Sequence, residues 1–416
     1  MKTTNDIEAL YKEGLAHLYG EGVEQDFRRA YELLTPAAER GHAGAQCMIG
    51  IMRARGEGAP QDYGIAREWL TRSAEQGDAD AQYFLGVMYC YGDGVEQDFA
   101  RAAEWFSLAA AQGHADAQFN LGSLYQRGED GVEQDFARAF DLLSRAAEQG
   151  VPEAQFNLGL MYDQGDYVER DAAKAAEWYR RAAEQGDADA QYNLAFAYET
   201  GEGMERDINQ AILWYRCAAE QGDAQAQYDL GLLYDDSANV ERDCAEAAKW
   251  YQLAADQGHP KAQNNLGMLY EEGAGVEQNL AKALELYRMA ADQGLDTAQH
   301  NLGVAYDDGT GVPVNHATAA KWYRLAAAQG YVKSLYNLAL LYDEGAGVPL
   351  DDARAANYYR RAAEQGHLRS QYNLAVMYQN GEGVARDLSE AAKWYRLAAE
   401  QGDADARAAL DQLDEI

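Results

Sequence analysis

The chain predicts an all-α fold, a solenoid of about eleven 36-residue helix-turn-helix repeats closed by a C-terminal capping helix. Three observations carry this. First, a glycine recurs at Gly41, Gly77, Gly113, Gly150, Gly186, Gly222, Gly258, Gly294, Gly330, Gly366 and Gly402, at spacings of 36, 36 and 37 and then 36 seven times. The single 37 comes from an extra residue in the loop Gly128-Glu-Asp-Gly131. A period in this range marks stacked supersecondary units rather than one globular core. Second, each period holds two apolar stripes of helical spacing separated by a glycine loop. Third, the composition is that of a folded chain, 47% hydrophobic and 11% aromatic with only six prolines. A length of 416 residues would suggest two or three domains, but a solenoid is one continuous body whose units touch only their neighbours. The expectation is one domain over residues 1–416, with repeats from about 6 to 402 and the capping helix over 403–416.

The sixth unit shows how each element is specified. Ala190, Leu194, Ala195, Ala197 and Tyr198 form the apolar stripe of a first helix of about 12 residues. Gly201 and Gly203 break it. Asp207 then stands as N-cap of the second helix. The same cap recurs at Asp26, Asp62, Asp98, Asp135, Asp171, Asp243, Asp351 and Asp387, with Asn279 and Asn315 as equivalents. The second helix turns Ala211, Trp214, Tyr215, Ala218 and Ala219 inward and stops at the closing glycine. Small residues sit beside the first-helix leucine: Gly86, Gly122, Gly159, Gly231, Gly267 and Gly303, with Ala195, Ala339 and Ala375 elsewhere. Three residues on stands a tyrosine, from Tyr89 to Tyr378. The tryptophans Trp69, Trp105, Trp178, Trp214, Trp250, Trp322 and Trp394 share one phase and read as core. Departures fall where a solenoid allows them. His17 and Arg53 replace the aromatic in the first two units, and Asn5 with Glu8 can form a capping box. The seventh loop, Asp236-Ser-Ala-Asn-Val240, lacks both glycines. At the far end Leu410 and Leu413 cover the last repeat, with Arg407, Asp411, Asp414 and Glu415 outward.

Charge narrows the function classes. Sixty-nine acidic residues against 35 basic ones give a net charge of −34. Such a surface repels nucleic-acid phosphates and anionic membranes and suits a basic protein or peptide. No apolar run approaches the roughly 20 residues that span a bilayer, and no signal-like segment opens the sequence. Cys47, Cys90, Cys217 and Cys244 share no spacing and read as reduced thiols of a cytoplasmic protein. His42, His114, His259 and His367 occupy one phase of different repeats, about 10 Å apart per step, too far to share a zinc ion directly. Neither a phosphate-binding glycine loop nor a nucleophile–base set breaks the repeat. No cofactor, no metal and no catalysis are expected.

The motif Ala-Gln-Tyr-Asn-Leu-Gly-x-x-Tyr, then Gly-x-Gly-Val, then Ala-x-x-Trp-Tyr-Arg-x-Ala-Ala-Glu-Gln-Gly resembles the SEL-one-like repeat family, relatives of the tetratricopeptide repeat. The resemblance implies a right-handed superhelix whose first helices line a concave groove, and an adaptor or scaffold role without shared catalytic residues. It covers residues from about 6 to 402. If first helices line the groove, one inward row is Tyr83, Phe119, Phe156, Tyr192, Tyr228, Asn264, His300, Tyr336 and Tyr372. Beside it runs an amide row, Asn120, Asn157, Asn193, Asp229, Asn265, Asn301, Asn337 and Asn373. The resemblance suggests that these amides hold a peptide backbone; equally, they can bond the neighbouring repeat and fix the stacking. A third row turns acidic along the chain: Asp163, Glu199, Asp235-Asp236, Glu271-Glu272, Asp307-Asp308 and Asp343-Glu344. Acid at a helix C-terminus opposes the helix dipole, so its repetition points to a stripe that receives a basic partner, with solvated helix ends as the plain alternative.

The expected function is a cytoplasmic, non-catalytic adaptor that binds a partner protein or peptide in its groove. The alternative is an immunity or antitoxin protein that neutralises a basic toxin or nuclease. A hydrolase like some cysteine-rich relatives ranks third, because no nucleophile constellation is present.

Overall fold

The computed structural model of the protein describes residues 4–236 and 241–414. Among them it holds 23 α-helices and no strand. By their contacts the helices form two compact units, Met1–Trp214 and Tyr215–Ile416. The division falls inside the second helix of repeat six, Ile208–Glu220. Within each unit, each helix packs chiefly on the helices before and after it in the chain, the contact pattern of a repeat array.

The second-helix caps stand where the sequence puts them. Asp26, Asp62, Asp98, Asp135, Asp171, Asp243, Asn279, Asn315, Asp351 and Asp387 each accept a backbone N–H of the first turn, and Asp207 does the same for Asn209 and Gln210. The four in-phase histidines turn out to be caps as well. Nδ1 of His42, His114, His259 and His367 accepts the N–H three residues on, at 3.1 to 3.3 Å. In other repeats Asp78, Asp187, Asp223 and Asp403 do the same work.

First helices run two residues longer than the apolar stripe predicts. The sixth is Ala188–Thr200 and ends at Gly201 in the left-handed conformation, φ 79°. The second loop glycine is required by a close approach: a Cβ on Gly383, φ +64°, would lie 2.1 Å from the Asp352 carbonyl oxygen. Repeat five carries Tyr167 at this place, at φ 66°, with its ring 5.9 Å from Phe140.

The core differs from expectation in one row. Tyr179, Tyr215, Tyr251, Tyr287, Tyr323, Tyr359 and Tyr395 are fully buried, whereas the tryptophans just before them are half-buried except Trp250 and Trp394. Adjacent helix residues point about 100° apart, so the tyrosine enters the core and the tryptophan beside it reaches only its edge in most repeats. The tryptophans pack on clusters shared by the preceding second helix and their own first helix: Trp69 on that of Leu34 and Ile49, Trp105 on that of Leu70 and Leu85, Trp178 on that of Leu143 and Leu158, Trp322 on that of Tyr287 and Leu302. The helical glycines serve the buried tyrosines of the second helix rather than the tyrosine three residues on. A Cβ on Gly303 would sit 2.4 Å from the Tyr323 ring, and one on Gly231 2.6 Å from Tyr251.

Buried glutamines tie the repeats together. In most repeats a first-helix glutamine donates to a last-turn carbonyl of the preceding second helix and accepts from the glutamine that ends its own repeat. Gln299 Nε2 lies 3.2 Å from the Ala291 oxygen, and Gln329 Nε2 3.0 Å from Gln299 Oε1. The same pair recurs at Gln46–Gln76, Gln82–Gln112, Gln263–Gln293 and Gln371–Gln401. Repeat ten has Leu335 at this position, and there Arg361 Nη2 reaches the Ala327 oxygen, which also accepts the Gly330 N–H, at 2.7 Å. Within the second unit the Arg361 position otherwise holds residues such as Leu253, Met289, Leu325 and Leu397, whereas the first unit has arginine there at Arg72, Arg145 and Arg181.

At the ends, Arg53 is held by the Asp62 carboxylate at 3.4 Å. The final helix, Ala404–Asp414, buries Ala406 and lays Leu410 and Leu413 on the last core, with Arg407 and Asp411 exposed. The side chains of Asn5 and Asp414, together with Glu415 and the loop residues 237–240, lie outside the described residues. The four cysteines are unpaired; Cys47 is buried and the others half-buried.

Candidate partner-binding face

The amide and acid rows of the second unit converge on the buried tyrosines. Tyr359 in the second helix of repeat ten donates to Asp343 Oδ2 of its own first helix at 3.2 Å, and Asn373 of repeat eleven donates to it from the far side. Tyr323 stands likewise between Asp307, 3.2 Å away, and Asn337. Tyr251 takes Asn265 Nδ2 at 3.3 Å and faces Asp235. Tyr287 donates to Glu271 Oε2 at 2.5 Å, and Tyr395 to Gln379 Oε1 at 2.7 Å. Burial pushes all five phenols up, with the neighbouring acid adding to it for the first four, so they stay protonated and donate. The carboxyl of Asp343 is itself raised by burial.

This splits the predicted acid row. Its inner members, Asp235, Glu271, Asp307 and Asp343, are half-buried and engaged. Asp235 also pairs with Arg242 at 2.8 Å, and Asp307 with His316 Nδ1 at 2.8 Å. Its outer members, Asp236, Glu272, Asp308 and Glu344, are exposed. Asp308 also accepts from the Thr310 amide and hydroxyl at 2.9 and 2.7 Å.

The amides are likewise occupied within the chain. Asn301 Nδ2 reaches Asn264 Oδ1 at 3.0 Å, and Asn193 Nδ2 the Asp189 carbonyl at 2.8 Å. The aromatic row lies in the seams between repeats. Tyr228 stacks on His259 with centroids 4.7 Å apart, Tyr336 meets His367 at 4.8 Å, and Tyr372 lies 5.6 Å from Tyr395. Tyr192 is half-buried like these, but Asn264 and His300 in the same row are buried, at 5% and 8% exposure. The first-helix tyrosine row is pinned from the preceding repeat. Arg216, Arg288, Arg324 and Arg360 donate to the hydroxyls of Tyr234, Tyr306, Tyr342 and Tyr378 at 2.6 to 3.1 Å.

Two features were legible but unread in the sequence. The buried tyrosines follow their acid by 16 residues and precede their asparagine by 14, a spacing visible along the chain. The residue two places after the first-helix cap also changes sign: Asp80, Asp116, Glu153 and Asp189 give way to Gln225, Lys261, Thr297, Lys333 and Arg369. Among the described residues no cluster of three or more His, Cys, Asp or Glu side chains could hold a metal ion, and no helix is long and apolar enough to cross a membrane.

Comparison with known proteins accords with this architecture. The family model of the Sel1 repeat matches eleven consecutive segments, from residues 7–42 to 368–403. The crystal structure of c5321, a protective antigen present in uropathogenic Escherichia coli strains displaying an SLR fold, is similar at 35% identity and a TM-score of 0.88. That match covers 98% of this chain and 90% of that one. A Sel1 repeat protein from Oxalobacter formigenes is similar at 34% identity and a TM-score of 0.63, over 74% of this chain and 89% of its own. No curated protein matches the chain. Eleven matched repeats and two solved relatives of this likeness establish that the chain belongs to the Sel1 repeat family.

Proposed function

We propose that the protein is a non-catalytic adaptor that holds a basic segment of a partner protein along the first-helix ends of repeats seven to ten. One observation carries the reading. Four successive acids, Asp236, Glu272, Asp308 and Glu344, are exposed at helix C-termini, where the helix dipole disfavours them by a few tenths of a kcal/mol each. The inner acids are tied to buried tyrosines, so they are accounted for by the fold; in the outer row Glu272 and Glu344 make no hydrogen bond or ion pair among the described residues, and Asp308 is exposed while it caps Thr310. A line of carboxylates on a chain of net charge −34 attracts lysine- and arginine-rich segments and repels phosphates. A cytoplasmic location goes with this reading.

The test is binding of a Lys/Arg-rich peptide and capture from native lysate, each at low and high salt, by the wild type and by a variant with Glu272, Asp308 and Glu344 changed to Lys. Loss of binding in the variant and with rising salt, at unchanged helical content, supports the reading. A peptide bound equally by both forms, or by neither, overturns it.

A further inference from the structure

The aromatic row fails twice in succession, at Asn264 and His300, and the failure opens a cavity. At the other row positions of the second unit stand Tyr228, Tyr336 and Tyr372, the first two packed on the histidine cap of the next first helix and the third on Tyr395. Where the two smaller side chains stand, repeats eight to ten together with Tyr228 line an open pocket of about 540 Å³. That is the size of a small-molecule site rather than a packing defect.

The lining is polar and organised. Asn301 Nδ2 donates to Asn264 Oδ1 at 3.0 Å, and His300 Nδ1 lies 2.9 Å from Ser334 Oγ. The residues equivalent to Ser334 are Ala262 and Ala298 in the two preceding repeats and Ser370 in the next. With the serine hydroxyl donating to Nδ1, the ring proton sits on Nε2, and the imidazole offers a donor. Burial, helped by Lys333, pushes His300 down to about 4, so it is neutral at physiological pH. Its Nε2 has no partner among the described residues.

The cavity mouth carries charge of the rarer sign. Lys261 and Lys333 line it and are exposed, and neither makes an ion pair among the described residues. They stand at the position that is acidic at Asp80, Asp116, Glu153 and Asp189. Asp296 also lines the cavity, so two lysines against one aspartate leave a lining of net +1 at neutral pH. That balance suits a carboxylate rather than a polyphosphate. Met268, Leu295 and Tyr331 supply apolar wall.

We propose that this cavity is a binding site for a carboxylate group, held by Lys261 and Lys333 and oriented by the Asn264–Asn301 and His300–Ser334 pairs. The carboxylate can belong to a free small acid or to the C-terminus of a peptide. The inference does not depend on the adaptor reading, since it concerns another part of the face and ligands of opposite charge.

The test is calorimetric titration of the full chain with succinate, and with a short peptide ending in Asp in its free-acid and C-terminally amidated forms. The wild type is expected to bind succinate, or the free-acid peptide in preference to the amide; the first names a free acid as the source and the second a peptide terminus. Changing Asn264 and His300 to Tyr restores the residue that neighbouring repeats use, so this variant should keep its helical content and lose binding. Lys261→Gln with Lys333→Gln, at exposed positions, should weaken binding at least about tenfold, about 1.4 kcal/mol, and serves if the filled variant fails to fold. No saturable heat with any of the three probes up to about 10 mM, a range that reaches affinities of only a few kcal/mol, overturns the proposal. Equal affinity in the lysine variant or in the folded, filled variant does so too.

Discussion

Repeat ten predicts how the glutamine ties can be rebuilt elsewhere. Gln299, 4% exposed, donates to the Ala291 carbonyl and accepts from Gln329. Gln299→Leu removes both bonds. Gln329 keeps the Gly294 oxygen at 2.9 Å, so its loss is small, about 0.5 kcal/mol. The Ala291 oxygen loses one of its bonds but keeps the Gly294 N–H at 2.9 Å, at a cost of about 1 kcal/mol, and the added leucine burial offsets a similar amount. The single variant should therefore lose only about 0.5–1 kcal/mol. Repeat ten shows the remedy, because Leu335 coexists there with Arg361 on the equivalent carbonyl. Leu325, half exposed at 50%, is the residue 36 before Arg361. Leu325→Arg should change little in the wild type and recover most of that loss in the Gln299→Leu background. A double-mutant cycle in urea isolates that coupling. Repeat arrays can depart from two-state unfolding, so amide exchange of the helices over Leu280–Asp292 and His316–Ala328 should accompany it. Equal effects of Leu325→Arg in both backgrounds would refute the reasoning.

The tyrosine hubs can be graded by acceptor charge. Tyr359→Phe loses a bond to a carboxylate and should cost about 2 kcal/mol, whereas Tyr395→Phe loses one to the Gln379 amide and should cost about 1 kcal/mol; denaturant midpoints give the order, and its reversal counts against the network. Because His300 is held neutral down to about 4 against an ordinary 6.5, the unfolded chain binds a proton in that window that the folded chain refuses. Its contribution, at most about 3 kcal/mol, is complete above pH 6.5 and is lost as pH falls towards 4. Lys333 adds to the effect, and Asp296 in the cavity wall opposes it. His300→Asn, the residue already present at Asn264, should flatten the stability–pH curve there, and an unchanged slope would place the titration elsewhere. Among glycines, Gly303→Ala should stay within about 1 kcal/mol of the wild type. Helix propensity favours alanine by about that amount, and Ala339 already shares a core with Tyr359. Gly383→Ala, against the Asp352 carbonyl at φ +64°, should cost more than about 2 kcal/mol; thermal unfolding separates the two.

What the sequence determined by itself is everything periodic and local. The 36-residue spacing gives the repeat, and helical stripes give two helices per unit. Aspartates before those stripes cap them, because a cap bonds only to residues two or three places on. The pairing of the tyrosines with acids and asparagines was present as spacing but not readable as contact. It joins three helices, and only their packing decides which phase is buried. For the same reason the tryptophans read as core and pack on it, but only Trp250 and Trp394 are buried like the tyrosines beside them. The acid row shows the limit most clearly. In sequence Asp307 and Asp308 are alike, yet one accepts from a buried phenol and the other faces water, a difference of about 100° around one helix. The cavity at Asn264 and His300 is likewise a tertiary fact. Two smaller residues in a row are an ordinary substitution in sequence, and become a space only when the neighbouring helices hold their distance.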